Sequence, residues 1–303
     1  MTADERYASP SAVEAAIAAA ARRASAADPS LTAQERIRLE YFHRFLSRIF
    51  SAAGDSNWVL KGGTSMLARV ASARATTDID LYRRSQSLDA ALADLRRLAS
   101  IDLGDFFRFE YTGFTDAITG NQQTYIEGYQ VDFDVYIGAK RKDHFHVDLV
   151  VNVVLAGEVE IVQPANTLDL SKLPSSPYRL YPVADQIADK VCATLARYSG
   201  GFSTREKDLV DLVVLVVTQD IVGENLRKAL GREFRTRFLP VPSTFGVPPT
   251  WGRRYRTIAA QVPACRPYLD IESAVAFVRS FISPVFDGSA EEKRWDHSRL
   301  EWC

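Results

Sequence analysis

The segment Leu60-Lys61-Gly62-Gly63-Thr64-Ser65 and, with thirteen residues between Thr64 and Asp78, the segment Asp78-Ile79-Asp80-Leu81 decide how this chain folds. Trp58-Val59-Leu60 reads as a short strand running into the glycine turn, Ser65 to Ala71 as a short helix, and Thr77 to Leu81 as a second strand. Side chains alternate along a strand, so Asp78 and Asp80 project to one face while Ile79 and Leu81 enter the core. Two carboxylates about 7 Å apart on one strand face suit a pair of Mg2+ ions, which take oxygen ligands and are shared with substrate phosphates. The Gly62-Gly63 turn lets backbone come close to a phosphate, and Ser65 with the helix N-terminus adds donors and a favourable dipole. A lone D-x-D strand or a lone glycine pair marks many ordinary surfaces and loops. Their joint occurrence describes a holder for a metal-bound nucleoside triphosphate.

Two-metal chemistry asks for a third carboxylate on a neighbouring strand. In Phe145-His146-Val147-Asp148-Leu149, the apolar residues share one face, and Asp148 lies on the other with His146. In Val131-Asp132-Phe133-Asp134-Val135, Asp132 and Asp134 also share a polar face, but no glycine turn precedes them. Asp148 is therefore the expected third carboxylate, and Asp132 and Asp134 are expected on an exposed sheet face. His144 and His146 with Asp148 suggest zinc, yet no fourth ligand or second histidine cluster is evident among four histidines, so the pattern is not read as a zinc site.

Outward from this centre, the chain has 303 residues, 47% hydrophobic and 25% charged, enough to build a core without disulfide or metal staples. With 37 Lys+Arg against 38 Asp+Glu the net charge is −1, which excludes a bulk cationic nucleic-acid coat but not a local basic patch. Cys192, Cys265 and Cys303 are odd in number and far apart, as expected in a reducing cytosol. The N-terminus is acidic with no basic leader. The longest apolar run, Leu209 to Val217, is broken by Asp211, so a cytoplasmic chain without membrane spans is expected.

Residues 11–50 read as two helices split at Asp28-Pro29, and 88–99 as another. Strands are expected at Phe107–Tyr111, Tyr129–Ile137, Phe145–Val153 and Glu158–Val162, punctuated by Gly113, Gly120, Gly128, Gly138 and Gly157. Pro164, Pro174, Pro177 and Pro182 mark a linker, after which helices are expected at 183–198, 205–219, 223–238 and near 272–283. The expected class is α/β (α+β): a mixed sheet with flanking helices over 1–175, then an α-helical domain over 176–303 that completes an active-site cleft.

Gly62-Gly63-Thr64 followed by Asp78-Ile79-Asp80 resembles the nucleotidyltransferase signature of the polymerase-β superfamily. The fuller form, with Lys61, Ser65, Arg74, Thr76 and Thr77, is similar to the AbiEii toxins, including the MenT-type toxins. Asp189-Lys190-Val191-Cys192-Ala193 with Arg197, then Arg205-Glu206-Lys207-Asp208-Leu209-Val210-Asp211-Leu212, resemble that family's helical Lys motif and its closing motif. Asp189 departs from it, since Glu is common there. The four motifs span residues 60–212.

The resemblance implies a Mg2+-dependent nucleotidyltransferase that moves a nucleoside monophosphate from an NTP to an acceptor, with Asp78, Asp80 and Asp148 as metal ligands. It implies nucleotide contacts from Lys61, Gly62, Gly63, Thr64, Ser65, Lys190, Arg197 and Asp208, and catalytic roles for Lys190 and Asp211. Lys190 and Arg197 are seven apart and would share a helix face; Asp208 and Asp211 are three apart on the next helix, where a salt-bridged helix start is the plainer alternative. For MenT-type members it implies tRNA 3′ ends as acceptors, a pyrimidine preference with CTP first, growth arrest and a cognate antitoxin.

A positive docking surface suits an RNA acceptor. Over 223–256 eight cations, among them Arg232, Arg235, Arg237, Arg253 and Arg254, stand against Glu224 and Glu233, a net +6. Phe245, Trp251 and Tyr255 are interleaved as candidate stacking residues. Thr76 and Thr77 sit beside the carboxylates, where phosphorylation would add negative charge against the nucleotide. The rivals are a nucleotidyltransferase acting on a small molecule or a protein, and, from another class, a non-catalytic nucleotide-binding antitoxin or regulator.

Overall fold

The structure is a computed structural model and describes residues 6–51, 57–84, 87–116, 128–151, 154–173, 175–198 and 201–303. The expected strand end at Asn152-Val153, the Gly120 turn and Pro174 lie outside these residues. The chain divides into two units, one formed by residues 1–71, 75–153 and 160–180, the other by 72–74, 154–159 and 181–303.

The first unit begins with α1 (Pro10–Ala27) and α2 (Ala33–Ile49). Thr32 and Glu35 form a reciprocal capping box that fixes the start of α2. Then follow β1 (Trp58–Lys61), α3 (Gly62–Arg69), β2 (Ile79–Arg83), α4 (Leu88–Ala99), β3 (Phe107–Thr115), β4 (Gly128–Ile137), β5 (Lys140–Val151), β6 (Glu160–Val162) and β7 (Tyr178–Leu180). Among the described residues these strands form one sheet in the order β3-β4-β5-β2-β1-β7-β6. β2 is antiparallel to β1 and parallel to β5, so the sheet is mixed.

Alternation assigns the two sheet faces. Val131, Phe133 and Val135 of β4 and Phe145, Val147 and Leu149 of β5 are fully buried. Phe42 and Phe45 of α2 close over them, with ring centroids 5.2 Å from Phe42 to Phe145 and 5.0 Å from Phe45 to Phe133. The intervening polar residues of β4 and β5 are thereby held on the opposite face.

The second unit contains α5 (Val183–Leu195), β8 (Arg197–Tyr198), β9 (Gly201–Phe202), α6 (Glu206–Thr218), β10 (Ile221–Val222), α7 (Gly223–Thr236), α8 (Arg253–Ala259), a 3-10 turn (Pro263–Tyr268), α9 (Ile271–Phe286), β11 (Arg294–Asp296) and β12 (Glu301–Trp302). Leu209, Val210 and Leu212 to Val216 of α6 are all fully buried, so this helix is buried around its circumference and central to its unit. β10, β11 and β12 make a small antiparallel sheet that the sequence pattern does not announce. The helices predicted at 183–198 and 272–283 run instead over Val183–Leu195 and Ile271–Phe286, the latter containing Pro284.

Candidate active site

The site is built from the polar face of the first sheet. Register places Lys61 of β1 opposite Asp80 of β2, Asp80 opposite Asp148 of β5, Asp148 opposite Gln130 of β4, and Gln130 opposite Thr115 of β3. Directly opposed residues share a face, so a lysine, two carboxylates, an amide and a threonine form one row across five strands. Gln130 Nε2 lies 3.4 Å from Asp148 Oδ1. Asp78 stands immediately before β2 and is half-buried, like Asp80 and Asp148. Thr76 donates its hydroxyl to Asp78 Oδ1 at 2.8 Å, and Thr64 donates to the Asp78 carbonyl at 2.7 Å, tying the carboxylate segment to α3.

α3 starts at Gly62, three residues earlier than expected, and Gly62 at its first position adopts φ +61°. A Cβ on Gly62 would sit 1.7 Å from Asp80 Oδ2. The glycine is thus required twice, by its left-handed backbone and by the carboxylate against it. Ser65 is buried, and its hydroxyl donates to the Gly62 carbonyl at 2.9 Å. Gly62→Ala is expected to lower nucleotidyl transfer at least about a hundredfold while costing ~1–3 kcal/mol of stability, checked by transfer rate and thermal melting on the same preparation. An equal loss in both would refute the role of the close approach.

Three half-buried carboxylates from adjacent strands form an all-oxygen donor set, as a hard divalent cation requires, and glycine keeps the approach to Asp80 narrow. The trio is not among the groups whose ligand atoms all lie within 4.8 Å of one another. A pair of ions asks only that each be reached by part of the set.

The second unit holds a buried charge network. Lys190 Nζ of α5 donates to Asp211 Oδ2 at 2.5 Å and to Asp208 Oδ1 at 3.3 Å, both on α6. Arg74 clasps Asp211 through Nε at 2.9 Å and Nη2 at 2.8 Å, and Arg205 Nε donates to Asp208 Oδ2 at 2.6 Å. Burial drives the Lys190 ammonium down, but Asp211 and Asp208 outweigh it and hold its pKa above the ordinary lysine value. Burial pushes the Asp211 carboxyl up, and Lys190 and Arg74 outweigh that, leaving it below the ordinary range. Sequence reasoning assigned Arg74 no site role, although it carries a bidentate contact to Asp211.

Arg197 is not on the helix of Lys190, in contrast to the spacing argument. α5 ends at Leu195, Ala196 is extended, and Arg197 enters β8 with its guanidinium 5.0 Å from the Phe202 ring centroid. The expected basic surface is also smaller than its charge count. Arg232 is ion-paired to buried Asp185, and buried Arg237 to Asp189 and Glu233. Arg235, Arg253 and Arg254 are exposed. Phe245, Trp251 and Tyr255 are buried, Trp251 donating to the Ser203 carbonyl at 2.7 Å, so these rings are core and not stacking platforms. Thr76 is buried and hydrogen-bonded, whereas Thr77 is exposed.

A glycine turn closed onto strand-borne carboxylates of a mixed sheet is the architecture of a nucleotidyltransferase. The family model described as "Nucleotidyl transferase AbiEii toxin, Type IV TA system" matches residues 44–277, and the chain belongs to that family. It is a nucleotidyltransferase toxin of a type IV toxin–antitoxin system, which implies an antitoxin partner. The fold is similar to that of MenT4, a nucleotidyltransferase toxin from Mycobacterium tuberculosis (TM-score 0.55, 17% identity, covering 93% of this chain and 92% of that one). JHP933 from Helicobacter pylori gives TM-score 0.44 at 14% identity over 86% of this chain and 96% of that one. No curated protein matches the sequence. Among the described residues no helix is long and apolar enough to cross a membrane.

Proposed function

We propose that this toxin is a Mg2+-dependent RNA nucleotidyltransferase that adds a nucleoside monophosphate, from CTP by preference, to the 3′ end of tRNA in the cytoplasm, and so blocks translation. The observation that carries this reading is the Lys61–Asp80–Asp148 row with Gly62 pressed against Asp80. Asp78, Asp80 and Asp148 hold the metal ions. Bound Mg2+ supplies charge neutralisation for the triphosphate. Lys61, the Gly62-Gly63 turn, Thr64 and Ser65 position the phosphates at the start of α3. Asp148 takes the proton of the acceptor hydroxyl, whose oxygen attacks the α-phosphorus in line as pyrophosphate leaves. Buried Lys190, oriented by Asp211 and Asp208, and exposed Arg197 receive phosphate charge and stabilise the departing group.

Incubating the protein with total RNA and each α-labelled NTP in turn tests this. Label from CTP entering tRNA supports it; label entering no RNA, or entering only a small molecule or a protein, overturns it.

The exposed cations of α7 and α8 are the RNA surface in this reading. Reversing Arg235, Arg253 and Arg254 to Glu is expected to reduce the slope of log affinity against log salt by about 2–3 and to weaken tRNA binding. Arg232→Ala, which removes a partner of buried Asp185, is expected to lower the melting temperature and leave the salt slope unchanged. Filter binding across a salt series, with melting curves, separates the two.

A further inference from the structure

On the polar face of β4 and β5, next to the carboxylate row, lies a second group of ligands. Asp132 is paired in register with His146, and Asp134 with His144. Asp132 Oδ1 lies 3.0 Å from His146 Nδ1 and 3.4 Å from His144 Nε2, so one carboxylate oxygen faces two imidazoles. The ligand atoms of Asp132, His144 and His146 all lie within 4.8 Å of one another. The side chains retain 25%, 37% and 44% exposure, which leaves an ion a path from solvent.

The hydrogen bonds behind the group define its chemistry. His144 Nδ1 is 2.9 Å from Asp134 Oδ1, and an ionised carboxylate only accepts, so Nδ1 carries the proton. Nε2, 3.4 Å from Asp132 Oδ1, is then the ring nitrogen that turns toward the carboxylate and can ligate an ion held between them. Asp134 is itself held by Arg141, through Nη2 at 2.8 Å and Nε at 2.7 Å. A carboxylate that accepts from the far nitrogen of a histidine fixes the ring and turns its other nitrogen toward a metal, as is usual for metal-ligating imidazoles.

The spacing agrees. Bonds of roughly 2.1 Å hold neighbouring ligand atoms roughly 3–3.4 Å apart, so one ion can reach Asp132 together with each imidazole without large movement of the side chains. Two imidazoles and a carboxylate favour Zn2+, Co2+ or Ni2+ over Mg2+, which prefers all-oxygen sites.

We propose that Asp132, His144 and His146 form a binding site for a first-row transition-metal ion, with Asp134 and Arg141 as its supporting shell. Asp132, and not the Asp148 that sequence spacing groups with the two histidines, is their carboxylate partner in this site. The site is distinct from the Asp78–Asp80–Asp148 set in donor chemistry and borders it, since Asp148 is the next same-face residue after His146 on β5.

The test uses the untagged, full-length protein, stripped with a chelator, loaded with Zn2+ or Co2+ and dialysed against excess Mg2+. Metal analysis is expected to return one equivalent, with Co2+ giving a visible d–d absorption band. His144→Ala and His146→Ala are expected to lower affinity at least tenfold, and Asp134→Asn, which keeps the shape of the side chain, about 10–100-fold. Asp80→Asn is expected to retain the equivalent. His297→Ala, which removes a member of a second candidate group, Asp220–Asp296–His297, is also expected to retain it. Parent protein that retains no metal overturns the proposal, and that measurement needs no variant to fold. Metal retained undiminished by His144→Ala and His146→Ala, or lost with Asp80→Asn or His297→Ala, overturns it as well.

Discussion

Asp80→Asn is expected to abolish growth arrest on expression and to cut nucleotidyl transfer at least about a thousandfold, equivalent to ~4 kcal/mol of transition-state stabilisation. Asp80 stands at the meeting point of the site, opposite Lys61 on one side and Asp148 on the other, with Gly62 against its Oδ2. Asparagine keeps the shape and removes the charge, so the fold is expected to persist with a melting temperature near that of the parent. Paired growth assays and labelled-NTP transfer check the result. Arrest that survives the change would exclude catalytic toxicity and favour the non-catalytic rival.

Asp211→Ala is expected to have the largest effect on stability, about 3–5 kcal/mol. The carboxylate is fully buried and is shared by buried Lys190 and by two nitrogens of half-buried Arg74, so its loss takes the shorter of two carboxylate contacts from the ammonium and the bidentate contact from the guanidinium. Because the folded Asp211 carboxyl titrates below its ordinary value, its stabilisation is present above the unfolded carboxylate pKa, near 3.8, and is lost as pH falls through the lower folded value. Lys190 works at the other end: its stabilisation is present below the unfolded lysine value of 10.5 and is lost as pH rises through the higher folded one. In denaturant titrations the stability gap between parent and Asp211→Ala is therefore expected to narrow as pH is lowered below 3.8. A constant gap between them would contradict the ionised network.

Much of the carboxylate site is legible in sequence because its elements are local or carried by period-2 patterns. Gly62, Asp78 and Asp80 fall within nineteen positions of one another. Asp148 is identified by alternation along a strand, and α4 and the position of β4 follow from periodicity alone. What sequence could not supply were partners. Arg232 and Arg237 look like a basic helix face until their acceptors, Asp185 and Asp189, arrive from 47 and 48 residues earlier. Phe245, Trp251 and Tyr255 alternate with arginines as a stacking surface would, yet tertiary packing buries all three. Arg197 fails for a different reason: a seven-residue spacing implies one face only while the helix continues, and α5 ends two residues short of it. β7 is only three residues long and carries no period of its own; it joins the sheet by pairing with β1 and β6. The Asp132–His144–His146 group needed cross-strand register, which sequence alone leaves open.

The place of β2 in the sheet order has a kinetic consequence. It is the middle strand of seven, hydrogen-bonded along both edges by β1 and β5. Amides in such a strand exchange with solvent only through openings close to global unfolding, whereas edge strands such as β3 and β6 can fray. Asp80 is therefore carried on a segment that stays ordered while the periphery of the sheet fluctuates, and the geometry of its carboxylate survives motions that loosen the rest.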